Sequence, residues 1–180
     1  TERRRIGSIT MKGEVVVDAY AGIGYYTLHM AVRSQAKHIH ACEINPDSIL
    51  GLAWAQKANE LNKQITIHQG DNQETLPKLY GQADRCHLGL LPSSEAVWKD
   101  ALGCLKPEGG WLHIHMNVHK KELEEWQAAT LETLKEYAEN HGRRWKITSE
   151  HLELVKWFSP HVWHVVLDVQ CREIKQEAYA

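Results

Sequence analysis

Hydrophobic positions along this chain fall into short blocks closed by turn signals. Val15-Val16-Val17 is a continuous β-branched run ending in Asp18, with Gly22 and Gly24 just beyond. That pattern predicts a strand buried on both faces, followed by a tight turn. Residues 25 to about 34 predict a helix, and residues 38–42 a second strand ending at Glu43. Asn45-Pro46 sets a capping side chain before a proline at the first helical position, predicting a helix over residues 46–62. Residues 65–68 predict a third strand, followed by Gly70-Asp71. Residues 85–91 predict a fourth, stopped by Pro92, and residues 94–104 a helix. Gly109-Gly110 turns the chain into a fifth strand over residues 111–116.

The last third changes character. Leu123, Trp126, Thr130, Leu134, Tyr137 and His141 recur at helical spacing, the stripe of a long helix packed on a sheet. Residues 152–157 and 162–171 then predict two strands joined through Ser159-Pro160 with no helix between them, so they pair as an antiparallel hairpin at the sheet edge. Five strands alternating with helices, then a hairpin, predict an α/β sandwich around a mostly parallel, seven-stranded sheet. Ligands of such sheets sit outside the carboxyl ends of the strands, at the switch point beside the first one. The chemistry is therefore expected after Asp18, Glu43, His68, Leu91 and Met116.

Composition narrows the classes. A chain of 180 residues, 43% hydrophobic, suits one domain, expected to span residues 1–180. No apolar run has the roughly 18–20 residues that a membrane span needs, and a net charge of -2 gives no global case for nucleic-acid binding. Cys42, Cys86, Cys104 and Cys171 form no C-x-x-C pair and sit in apolar stretches, which predicts reduced, buried thiols in a cytoplasmic protein. The histidine pairs His38/His40, His113/His115 and His161/His164 lack a third and fourth partner, so no metal is expected. The chain begins at Thr1 rather than Met, and a longer parent protein is expected.

The strongest local signal is Asp18-Ala19-Tyr20-Ala21-Gly22-Ile23-Gly24, strand into helix. Glycines let the backbone turn sharply and a ligand approach, and the helix start adds roughly +0.5 of a charge. A nicotinamide fingerprint would place a third glycine where Thr27 stands. Glycine in such a turn also has a purely steric reading. Glu43 ends the second strand near the ~20-residue separation at which an acid meets a ribose diol; read blandly, it is a solvated acid before a helix. Asp71-Asn72 follows the third strand, beside the base of the same nucleoside, and read blandly is an Asx turn. Together the three strand ends favour an adenosine site.

Asp18-Ala-Tyr-Ala-Gly-Ile-Gly-Tyr-Tyr26, Ala41-Cys-Glu-Ile-Asn-Pro46 and Gly70-Asp-Asn72 resemble class I S-adenosylmethionine-dependent transferases. Thr1-Glu2-Arg3, Val155-Lys-Trp-Phe-Ser-Pro-His161 and His164-Val-Val-Leu-Asp168 are similar to flanking motifs of the tRNA wybutosine-synthesis and tRNA guanine-N1 methyltransferase group. The resemblance implies a Rossmann-like class I methyltransferase fold. The guanine methyltransferases carry an Asn-Leu-Pro type segment after the fourth strand. Here Gly89-Leu90-Leu91-Pro92-Ser93-Ser94 resembles the wybutosine-synthesis aminocarboxypropyltransferases instead.

That resemblance implies transfer of the 3-amino-3-carboxypropyl group of S-adenosylmethionine to the wyosine-type (4-demethylwyosine) base beside the anticodon of phenylalanine tRNA. By the same resemblance Glu43 would hold the ribose and Asp71 with Asn72 the adenine. Ala21, Gly22 and Gly24, with Tyr20, would line the floor under the methionine portion, and Arg3 would meet its carboxylate. Asp18 is expected to orient the glycine turn. His115 is a candidate to assist proton removal from the acceptor carbon, against the plainer role of a core histidine. No other catalytic base is assigned. Family members carry N-terminal segments that grip tRNA, and these are expected to be missing here. With basic patches only at Arg3–Arg5 and Arg143-Arg144-Lys146, a monomer with little tRNA affinity of its own at physiological salt is expected. The alternatives are a tRNA guanine-N1 methyltransferase and a non-catalytic nucleoside-binding module.

Overall fold

A computed structural model of the chain describes residues 1–176. The elements in chain order are α1 (Glu2–Ser8), β1 (Val15–Asp18), α2 (Thr27–Val32), β2 (His38–Glu43), α3 (Pro46–Ala58), β3 (Ile65–Gln69) and α4 (Asn72–Thr75). They continue as β4 (Arg85–Leu88), α5 (Trp98–Cys104), β5 (Gly109–His119), α6 (Leu123–Asn140), β6 (Trp145–Ser159) and β7 (Val162–Glu173). One seven-stranded sheet runs β3-β2-β1-β4-β5-β7-β6. The pairs among β1 to β5 are parallel; β7 runs antiparallel to both β5 and β6.

Alternation along β1 explains its unbroken valine run. Val16 faces a core with Ile6, Met30, Ile39, Leu52 and Ile65, under the first three helices. Val17 faces the opposite core with Leu88, Trp98, Leu102, Leu112, Ile114 and Leu134, under α5 and α6. A strand covered on both sides has no solvent face to mark with polar residues. The predicted hairpin forms, with β7 inside and β6 at the edge.

Several boundaries differ from the sequence reading. The second helix is only Thr27–Val32, because Gln35 adopts φ 59° and turns the chain out of it. The strand expected to reach residue 91 ends at Leu88, and Ser93 instead bridges Met116. Strands β5 and β7 are longer than their apolar runs suggested, since they pair from Gly109↔Arg172 to His119↔Val162. Strand β6 carries three irregularities, near residues 149, 154 and 157, that break its alternation at an exposed edge. Helix α1 has only Glu2 and Ile6 buried, too weak a stripe to read as periodic.

The chain turns from β1 toward β2 on one side and sits beside β4 on the other, so the switch point lies between β1 and β4. The ends of β1, β2 and β3, at Asp18, Glu43 and Gln69, lie along the same edge of the sheet.

Candidate functional site

A cavity of about 270 Å³ opens at the switch point. Ala19 and Tyr20 come from the end of β1, Glu43 and Ile44 from β2, and Gly70, Asp71, Asn72 and Gln73 from β3. Ala96 and Val97, from the turn before α5, close it with an apolar wall. Acidic groups thus meet one apolar slot, the arrangement that a nucleoside, with a polar sugar and a flat base, can fill.

Glu43 is held by backbone. Gly22 N–H donates to its Oε1 at 2.9 Å, and Ile44 and Asn45 N–H both donate to its Oε2 at 2.9 Å. A carboxylate offers about four lone-pair sites, so three fixed donors aim the carboxylate and leave room for a further donor. The glycine turn is the partner that makes this possible. Gly24 has φ +98°, and a Cβ there would lie 2.9 Å from Leu52 Cδ1.

Asp71 caps α4, accepting from Gln73 N–H at 2.8 Å, so the Asx-type turn and the cavity position coexist in one residue. Asn72 Nδ2 donates to the carbonyl of Ala19 at 2.8 Å, tying the β3 end to the β1 end. Tyr20 lines the same cavity, and burial pushes its phenol up. Ala21, Gly22 and Gly24 are not among the lining residues; Ala21 is packed in the core and Gly22 acts through Glu43.

Arg3 stands apart from this group. It is exposed, with its guanidinium 4.8 Å from the Tyr25 ring, and it lines a second cavity of about 430 Å³ with Thr1, Glu2, Tyr26, Leu91 and His164. Leu91 belongs to the segment after β4, one of the places where the chemistry is expected.

Asp18 is 1% exposed and outside both cavities. Thr27 Oγ1 donates to its Oδ2 at 2.7 Å, which accounts for threonine where a dinucleotide fingerprint would have glycine. His87 Nδ1 lies 3.4 Å from Asp18 Oδ1. His87 Nε2 is 3.1 Å from His115 Nε2, and His115 Nδ1 is 3.0 Å from His164 Nε2. His115 is therefore a core histidine, but one inside a polar chain. Burial, then the neighbouring imidazoles, hold it well below the ordinary histidine value.

A second polar cluster lies alongside. Arg5 donates to both oxygens of Asp168 at 2.6 and 3.0 Å, and to both of Glu2 at 2.7 and 2.8 Å. His113 joins Asp168 at 2.7 Å and Arg85 at 2.8 Å. Neutral imidazole fits both, donating from Nδ1 to the carboxylate and accepting from Arg85 at Nε2. Burial pulls His113 down, Asp168 pulls it back, and it settles at about 4. Burial raises the Asp168 carboxyl, but hydrogen bonds from His113 and Arg5 outweigh it and hold the group below the usual carboxylate range.

Sequence reasoning did not single out His87 or the wall of Ala96 and Val97, and it named His164, Glu2 and Arg5 without foreseeing these contacts. The alternation of His113 and His115 on one strand face was the visible signal. Their partners are 28 to 55 positions away, and only the strand order brings them together. Among the described residues no group of three or more His, Cys, Asp or Glu is arranged to hold a metal ion. Nor, among these residues, is any helix long and apolar enough to cross a membrane.

Comparison with known proteins gives this geometry a lineage. The model of the TRM5/TYW2 methyltransferase domain matches residues 1–146. An Arabidopsis thaliana protein named tRNA wybutosine-synthesizing protein 2/3/4 is 45% identical over 172 residues, covering 96% of this chain and 17% of its own length. A Danio rerio tRNA wybutosine-synthesizing protein 2 homolog is 38% identical over 205 residues, covering 97% of this chain and half of its own. The solved structure of M. jannaschii TYW2 in complex with AdoMet superimposes with a TM-score of 0.85 at 34% identity, over 96% of this chain and 75% of that one. The chain thus spans between about a sixth and a half of the length of these two curated relatives. With its fold, strand-end motifs and near end-to-end similarity in agreement, the chain belongs to the TRM5/TYW2 methyltransferase-domain family.

Proposed function

We propose that residues 1–180 form a single catalytic domain that binds S-adenosylmethionine at the β1–β4 switch point. It moves the 3-amino-3-carboxypropyl group to the wyosine-type (4-demethylwyosine) base next to the anticodon of phenylalanine tRNA. The observation that carries this reading is the convergence of Glu43, Asp71, Asn72 and an apolar wall on one 270 Å³ cavity. Glu43, aimed by three backbone donors, takes ribose hydroxyls. Asp71 and Asn72 flank the adenine, which lies against Ile44, Ala96 and Val97. The methionine end runs past the Gly22–Gly24 turn toward Arg3, whose guanidinium suits a carboxylate. Relatives named for wybutosine synthesis, and a neighbour whose structure holds AdoMet, support the assignment.

Bound there, S-adenosylmethionine supplies a sulfonium with three electrophilic carbons, and attack on the aminocarboxypropyl carbon leaves methylthioadenosine. The chain's part is to choose the carbon. Positioning at attack geometry supplies about 7–11 kcal/mol, ample to favour one carbon over another. His87 packs so closely on Gly89, after β4, that a Cβ there would come 2.8 Å from its Cε1. An Asn-Leu-Pro segment would put a polar anchor after β4 and favour methyl transfer. Four buried free thiols suit the reducing cytoplasm, where the chain acts as a monomer.

The test is mass spectrometry of the small-molecule product after incubation with S-adenosylmethionine and hypomodified phenylalanine tRNA. Methylthioadenosine is the expected product. S-adenosylhomocysteine would assign the chain to methyl transfer, and unconsumed cofactor bound with normal affinity would make it a binding module. Replacing residues 89–92 by Asn-Leu-Pro is expected to shift the product toward S-adenosylhomocysteine.

A further inference from the structure

The line Asp18–His87–His115–His164 crosses four strands, β1, β4, β5 and β7, inside the protein. All four residues are at most 6% exposed. Its hydrogens can be assigned by counting. Asp18 Oδ2 accepts from Thr27, and with Oδ1 accepting as well, His87 donates to it from Nδ1. A neutral imidazole has one N–H, so His87 Nε2 must accept, and His115 must donate to it from Nε2. His115 Nδ1 then accepts from His164 Nε2–H. The count ends at His164 Nδ1, which is left with a bare lone pair.

That atom is also the one without a protein partner. His164 Nδ1 is buried and unpaired, as are both side-chain polar atoms of Asn117. Asn117 and His164 face each other in the β5–β7 register, so the orphans sit on one sheet face. Buried polar atoms are nearly always paired in a folded protein, with protein groups or ordered water, and here the Asn117 amide and His164 Nδ1 have no protein partner. His164 lines the 430 Å³ cavity with Arg3, Tyr26 and Leu91. The Tyr26 ring covers the middle of the line, 4.5 Å from His87 and 5.2 Å from His115.

We propose that these four residues are a directional proton relay, with His164 Nδ1 the base that takes the proton released from the acceptor carbon. The proposal rests on the aminocarboxypropyl-transfer reading, in which carbon–carbon bond formation releases one proton. As that bond forms, the carbon–sulfur pair moves to sulfur, and the C–H proton passes to His164 Nδ1. Its Nε2 proton moves to His115 Nδ1, and the His115 Nε2 proton moves to His87 Nε2. The charge ends on His87, 3.4 Å from Asp18. Reversed, every hydrogen bond of the line is still made. Burial, with Lys156 adding repulsion, pulls His164 below the ordinary histidine value, so it rests neutral and ready to accept. His164 is the catalytic residue; His115, His87 and Asp18 are positioning residues.

Asp18→Asn is the informative variant. An asparagine can keep the Thr27 bond through its oxygen and donate to His87 from its nitrogen, which reverses every tautomer and leaves a proton on His164 Nδ1. Serine-protease triads lose about 10⁴ in kcat by the same inversion. Nitrogen NMR of histidine-labelled chain is expected to show His164 Nδ1 unprotonated in the wild type and protonated in Asp18→Asn. Turnover of Asp18→Asn and of His164→Gln is expected to fall about 10²- to 10⁴-fold, with methylthioadenosine affinity within threefold of wild type, since neither residue lines the nucleoside cavity. A protonated His164 Nδ1 in the wild type at neutral pH overturns the relay, as does wild-type turnover in folded His164→Gln. Should Asp18→Asn fail to fold, the wild-type spectrum and His164→Gln decide the matter. The spectrum does not depend on turnover, so a wild-type chain that transfers nothing sinks the functional reading while the tautomers still judge the relay.

Discussion

Replacing Glu43 by glutamine changes one oxygen to an amide nitrogen and removes the charge, with almost no change of shape. In the wild type the two oxygens accept three backbone hydrogens, one from Gly22 and two from Ile44 and Asn45. If the glutamine oxygen keeps the Ile44 and Asn45 pair, its NH2 faces the Gly22 N–H, donor against donor. One charge-assisted bond of about 1.5–3 kcal/mol is then lost and the glycine turn loses its anchor. In the proposed complex the ribose loses a carboxylate acceptor at the same time. At 1.4 kcal/mol per tenfold, a loss of this size weakens methylthioadenosine binding by about 10- to 100-fold. Titration calorimetry with methylthioadenosine reads the affinity, and a thermal melt reads the turn. An affinity within threefold of wild type with an unchanged melting temperature would refute the argument that Glu43 both anchors the loop and holds the sugar.

Three further outcomes follow from the same contacts. Thr27→Val strips the buried Asp18 Oδ2 of its 2.7 Å donor; it is expected to cost about 1–3 kcal/mol, read as a lower denaturant midpoint, and an unchanged midpoint contradicts it. Gly89→Ala places a Cβ 2.8 Å from an imidazole held at both nitrogens; overpacking of about 1–3 kcal/mol is expected, and wild-type stability would show that His87 moves freely. His113 is held at about 4 in the fold against about 6.5 unfolded, so the unfolded chain takes up protons first as pH falls. His113 alone is therefore expected to contribute a drop of about 3 kcal/mol between pH 6.5 and 4, visible in melting temperatures, beside the other histidines held low in the fold. His113→Gln should make that slope shallower by about its own share, and an equally steep slope in the variant would place the loss elsewhere.

The parallel half of the fold was open to sequence reading because its strands are short, buried on both sides and punctuated. The valine run, Asn45-Pro46 and Gly109-Gly110 each mark a boundary by a local constraint. Strand ends in a doubly wound sheet also have a fixed meaning, which is why Glu43, Asp71 and Asn72 could be placed at one crevice before any coordinates. What could not be read depends on lateral order. His87, His115 and His164 come together because β4, β5 and β7 are neighbours, and nothing local to His164 says that. Arg5 looked like part of a charged run, yet Glu2 and Asp168 claim it. The apolar wall of Ala96 and Val97 sits on a short 3-10 turn without periodicity. Edge strand β6 hides its length because its irregularities break the alternation that would announce it.

A crystal structure with methylthioadenosine bound tests the central claim most directly. The account predicts the ribose against Glu43 and the adenine between Ile44 and the Ala96–Val97 wall, with Asp71 and Asn72 at its edge. The nucleoside lodged elsewhere, or Glu43 turned away from it, would contradict the account.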